Sequence, residues 1–150
     1  MKIQTVKFPA TPEETLEQVI KMRPFIDKSF AEMDGSDSTS LPNEMLVMMW
    51  HSASLDFVEL LNDEGERVGL AMNQLLFHEG KGERMVKLMT AYIDPEYRGK
   101  GEFKRMVDYM KVIYRARNFA YIDVVVLTGK PFTLAGEEVA KIIRMELQDG

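Results

Sequence analysis

The chain has 150 residues, enough to bury a substantial core and the usual size of one domain. With 45% hydrophobic and 29% charged residues it is too apolar for a disordered chain, and a net charge of −5 excludes a broadly cationic nucleic-acid-binding surface. It has no cysteine, which excludes disulfides, thiolate catalysis and cysteine-based metal sites.

Residues 1–8 (MKIQTVKF) alternate as a strand does and lack the apolar core of a signal peptide. No apolar run is long enough to span a bilayer, so a soluble, cytoplasmic protein with no membrane partner is expected. Thr11-Pro12-Glu13-Glu14 reads as a capping box with proline at the first helical position. Leu16, Val19, Ile20 and Arg23 follow at helical spacing, and Pro24 is expected to kink or end that helix, although Phe25, Ile26 and Phe30 could continue its apolar face beyond it. Residues 34–40 (DGSDSTS) form a polar loop whose glycine and glutamate fall in the wrong places for a calcium site, and no metal site is expected. A helix near 42–53 follows, with Met45, Leu46, Met49, Trp50 and Ala53 on one face. The chain's twelve methionines are mainly core filler, although Met48 and Met49 could line an adaptable groove.

Two apolar runs, 57–61 and 67–77, flank Asn62-Asp63-Glu64-Gly65 and predict a β-hairpin. A second turn leads into 85–93, apolar enough for a central strand. From Phe103 the period changes to 3.6, with Phe103, Met106, Val107, Met110, Ile113 and Tyr114 on one face. Residues 121–127 (YIDVVVL) read as a buried strand. The tail, 132–150, fits either a helix through Val139, Ile142, Ile143 and Leu147, or a strand through Ile143, Met145 and Leu147. The expected fold class is α/β, a mixed sheet covered by helices.

Between the strand at 85–93 and the strongest helix lies DPEYRGKGEF (94–103). A helix start exposes unpaired N–H groups and carries roughly half a positive charge. Glycines ahead of it let the backbone approach a ligand, and Arg98 and Lys100 add charge. This combination suits a pyrophosphate. A Walker-type G-x-x-x-x-G-K-[ST] loop is absent, and so is a G-x-G-x-x-G turn after the first strand.

The segment resembles the acyl-CoA-binding motif of the GNAT (Gcn5-related N-acetyltransferase) superfamily, R/Q-x-x-G-x-G/A, through Arg98 and Gly101. The order of elements, with Arg67-Val68-Gly69-Leu70 in the hairpin, extends the resemblance over residues 1–127. It implies a mostly antiparallel central sheet, splayed between its fourth and fifth strands and flanked by helices. It also implies acetyl-CoA, or another acyl-CoA, as cosubstrate. Ala91, Tyr92 and Ile93 would pair with the pantetheine arm, and Arg98, Gly99, Lys100, Gly101, Glu102 and Phe103 would hold the pyrophosphate. The partner would be an amine acceptor, small molecule or protein, and a strand in the tail could pair across a homodimer.

Two departures stand out. Phe103 occupies the position where the motif has Gly or Ala; its helical phase turns it towards the core. No tyrosine follows Tyr121, so the family's usual general acid is missing. No catalytic residue is assigned. Among candidate bases, His51 is better placed than His78, though a lone histidine is more often structural. Glu59, Glu79 and Glu83 read as solvated turn or edge carboxylates, and Asp123 as a strand carboxylate paired with a nearby Arg or Lys. The expected function is N-acyl transfer from acyl-CoA to a primary amine by direct attack. The alternative is a catalytically reduced GNAT-like module that binds cofactor or protein.

Overall fold

In the computed structural model, residues 1–34, 41–78, 80–125, 137–139 and 142–148 are described. Three helices and seven strands follow in the order β1 (Lys2–Thr5), α1 (Pro12–Asp34), α2 (Asn43–His51), β2 (Leu55–Leu61), β3 (Arg67–His78), β4 (Glu83–Ile93), α3 (Glu102–Ala116), β5 (Tyr121–Val125), β6 (Glu137–Val139) and β7 (Ile142–Glu146). None of the described helices is long and apolar enough to cross a membrane.

Thr11 starts α1 as its sequence foretells: its hydroxyl accepts the Glu14 N–H at 3.2 Å, and the Glu14 carboxylate accepts the Ala10 N–H at 3.1 Å. The helix does not end at Pro24. It runs 23 residues, with the proline inside it. Pro24 and Ile20, whose carbonyl loses its i+4 donor, are both exposed, so water can serve that carbonyl. The opposite face buries Thr15, Val19, Met22, Ile26 and Ser29 and holds the helix together. Leu16 and Ile20, placed on the apolar face by spacing alone, are exposed. In α2 the buried residues are Leu46 and Trp50, whereas Met45 and Met48 face outward.

The β2–β3 hairpin closes as the sequence predicts, with the Asn62 side chain accepting the N–H groups of Glu64 and Glu66 and Gly65 at φ +80°. Gly69 in β3 answers a different demand. A Cβ there would stand 3.1 Å from the Leu60 Cβ and 3.3 Å from the Tyr92 carbonyl oxygen.

The strands form one sheet in the order β1-β2-β3-β4-β5-β7-β6. β4 and β5 run parallel; the other neighbours are antiparallel. One face carries α3 over a core that includes Val58, Val86, Leu88, Met106, Met110 and Ile122. The other carries α1 and α2 over Val19, Met22, Ile26, Trp50, Phe57 and Met72. The tail, which fitted two periods, is strand over 137–139 and 142–146, and β7 buries Met145 against β5. Residues 126–136, where a helix after the fifth strand would fall, and residues 35–40 lie outside the described residues.

Candidate functional site

The parallel pairing of β4 with β5 ends at Leu88↔Val124. β4 continues to Ile93, paired with β3 on its other side. The change coincides with a bulge: Asn73 stands opposite Leu88 and Met72 opposite Thr90, so Met89 is the extra residue. Past the bulge, Ala91, Tyr92 and Ile93 present an edge with no β5 partner among the described residues. Such an edge is a row of backbone donors and acceptors open to an extended ligand.

That edge leads straight into the glycine loop. A 3₁₀ turn at Pro95–Tyr97 reverses the chain, and Gly101 caps α3 in the left-handed conformation. Gly99 and Gly101 have φ of +80° and +79°, which only glycine adopts without strain. A Cβ on either would meet nothing within 4 Å, so the space above the loop is open. Among the described residues, the N–H groups of Gly99, Lys100, Gly101 and Glu102 have no acceptor. Four such donors at a helix N-terminus make an anion site without further help.

The cations are arranged differently from what the sequence suggests. Arg98 does not stand free over the loop: its Nε donates to the Ile93 carbonyl, its Nη2 to Glu32 on α1 at 2.7 Å, and its guanidinium lies 5.0 Å from the Tyr92 ring centroid. Lys104 is paired with Asp108, and Arg105 binds both oxygens of Glu102. Lys100 is exposed and has no partner among the described residues, which leaves it as the loop's available cation. Phe103 is half-buried and packs against the core beneath α3.

Three solved structures place this architecture. A ribosomal-protein-alanine N-acetyltransferase from Brucella melitensis biovar Abortus 2308 superposes with a TM-score of 0.61 at 13% identity, over 93% of this chain and 99% of that one. An aminoglycoside acetyltransferase from an uncultured soil metagenomic sample, in complex with sisomicin, gives 0.63 at 15% identity, over 82% and 75%. The GNAT family N-acetyltransferase YhbS from Escherichia coli, in complex with CoA, gives 0.55 at 16%, over 83% and 62%. The chain has the GNAT fold. No protein-family model and no curated protein matches it.

Within the GNAT fold the candidate bases scatter. His51 ends α2, and its Nε2 lies 2.6 Å from the Thr15 hydroxyl, which is also 2.8 Å from the Thr11 carbonyl. The contact lets His51 brace α2 against α1. Glu59 is not the solvated edge carboxylate expected from sequence; it is buried on β2, with Arg67 and Gln4 each 3.3 Å away. Asp123 is buried in β5, in register with Lys87 and Arg144. Glu83 and His78 face each other in register at the far ends of β4 and β3, and Glu79 lies outside the described residues.

One residue at the splay escaped the sequence reading. Thr90 is 5% exposed, and its hydroxyl has no hydrogen-bond partner among the described residues. It stands in register with Met72, on the α1 side of the sheet, one residue past the bulge. A threonine in a strand is unremarkable by propensity, so nothing in the sequence marks it.

Proposed function

We propose that the protein is an acyl-CoA-dependent N-acyltransferase, with acetyl-CoA as cosubstrate and a primary amine, on a small molecule or a protein, as acceptor. The observation that carries this reading is the continuity, among the described residues, of the unpaired β4 edge with four acceptorless amides at the start of α3. Ala91, Tyr92 and Ile93 would serve the pantetheine arm by their backbone, although the Ile93 carbonyl is already engaged by Arg98. The loop from Arg98 to Phe103 would hold the pyrophosphate, with the amides of 99–102 and the Lys100 ammonium as its donors. Arg98 would shape that loop through Ile93, Tyr92 and Glu32 instead of binding phosphate.

The cosubstrate supplies a thioester carbon that a neutral amine can attack, with the sulfur leaving as thiolate. A β4 amide past the bulge would polarise the carbonyl as negative charge develops on its oxygen. Deprotonating the amine and protonating the thiolate require further groups. A specific observation favours the reduced module as second reading: His51 and Glu59 are committed to Thr15 and Arg67.

Calorimetric titration of CoA and acetyl-CoA distinguishes the outcomes, followed by CoA release across an amine panel. Lys100→Glu is expected to weaken CoA binding by about tenfold or more, equivalent to about 1.4 kcal/mol, and Gly101→Trp to abolish it. Folded wild-type protein that binds neither ligand overturns the proposal. Binding without CoA release supports the module.

A further inference from the structure

A cavity of about 400 Å³ opens on the α1 side of the sheet, between the start of α1 and the β1 edge. It lies at the β1 edge of the sheet, whereas the splay falls between the fourth and fifth of the seven strands. Its volume is within the range of small-molecule sites. The residues that give it chemical character are Gln4, Lys7, Glu17, Gln18, Glu59 and Arg67.

Charge is built into this wall. The Glu59 side chain is only 9% exposed and that of Arg67 18%, so both are largely withdrawn from solvent. A single bond joins them: the Arg67 Nε donates to one Glu59 oxygen at 3.3 Å, while Gln4 donates to the other at the same distance. Neither terminal NH2 group of Arg67 has a partner among the described residues. A largely buried guanidinium normally uses its flat fork on a carboxylate, and here the fork is left open. Lys7, which has no partner among the described residues, adds a second cation to the lining.

α1 supplies the opposite sign. Glu17 is exposed and has no partner among the described residues, while one oxygen of Glu14 is engaged by the Ala10 N–H. The cavity thus offers a guanidinium fork and an ammonium from the strand side, and carboxylates from the helix side. A ligand with one charge would meet a like charge across the cavity; a ligand carrying both would satisfy each wall.

We propose that this cavity is a second binding site, distinct from the acyl-CoA loop, for a small zwitterion with a carboxylate and an ammonium group, of the α-amino acid class. The carboxylate would take the open fork of Arg67 with Lys7 beside it, and the ammonium would meet Glu17. The Gln4 and Gln18 amides would complete the polar contacts. This proposal does not depend on acyl transfer.

The test is a titration of the full chain with the proteinogenic α-amino acids, by calorimetry and saturation-transfer NMR. For the tightest binder, the matching amine without carboxylate and the matching acid without amine are titrated as well. At least one amino acid is expected to bind saturably, and each singly charged analogue about tenfold or more weaker. Arg67→Gln and Glu17→Gln should each weaken binding about tenfold and leave CoA affinity unchanged. Because Arg67→Gln strips the buried Glu59 of a partner and can unfold the chain, the exposed Glu17→Gln decides independently. No saturable binding, equal binding of the singly charged analogues, or binding indifferent to Glu17→Gln overturns the proposal.

Discussion

Thr90 shows how much can turn on one hydroxyl. A buried polar group without a partner forfeits its hydration and receives nothing in return, at about 1–3 kcal/mol. Valine keeps the β-branched shape and removes the hydroxyl. Thr90→Val is therefore expected to stabilise the chain by about 1 kcal/mol, raising Tm by about 2–4 °C in a thermal melt. A stability gain joined to a loss of CoA release would make the hydroxyl part of the proposed acyl transfer. A gain with turnover unchanged would make it a packing defect. Arg98 shows the converse limit of sequence. Charge and spacing place it beside the phosphate loop, and it is there, but only coordinates reveal that Glu32, Ile93 and Tyr92 claim its guanidinium.

At the scale of elements, the local rules hold best where they act over one turn. The α1 cap and the hairpin turn were legible because their partners lie within four residues. The helix carries on past Pro24 because a local penalty met a tertiary gain. Val19, Met22 and Ile26 are fully or almost fully buried on the far side of the same helix, and each outweighs part of one missing hydrogen bond. A residual cost should remain. Proline in a helix interior costs about 3 kcal/mol against alanine, and its stiffening of the unfolded chain returns up to about 1 kcal/mol. Pro24→Ala is expected to raise stability by about 2 kcal/mol, read as a higher urea midpoint with an unchanged m-value. A lower midpoint would mean that the proline sets a bend which α1 needs to lie on β4. The tail was illegible for a related reason: Ile143, Met145 and Leu147 satisfy period 2, while Val139, Ile142 and Ile143 satisfy the helix. What decides is pairing with β5, which is remote in sequence.

Across the whole molecule, composition and periodicity supplied the elements, while the splay had to come from resemblance. No residue pattern encodes that, among the described residues, β4 pairs with β5 as far as Leu88 and no further. The packing of α3 on the sheet shows the same dependence on distant partners. Tyr114, buried on α3, donates to Asp56 of β2 at 3.2 Å and accepts from Asn73 of β3 at 3.1 Å, while Arg117 closes on Asp56 at 2.6 Å. Burial first, and the negative charge of Asp56 second, push the Tyr114 phenol well above its usual value of about 10. The native state then keeps a proton that the unfolded chain releases above about pH 10. Since the folded state binds more protons there, stability must fall as pH rises through that range. The slope from this one group approaches about 1.4 kcal/mol per pH unit. Tyr114→Phe abolishes the titration along with the hydrogen bonds, so it should lower stability at pH 7 by about 1 kcal/mol. It should also flatten the decline between pH 9 and pH 11, measured by urea unfolding at a series of pH values. If the phenylalanine variant declines as steeply as wild type, the alkaline loss arises elsewhere, and the Asp56–Tyr114–Asn73 junction is held by packing and not by its proton.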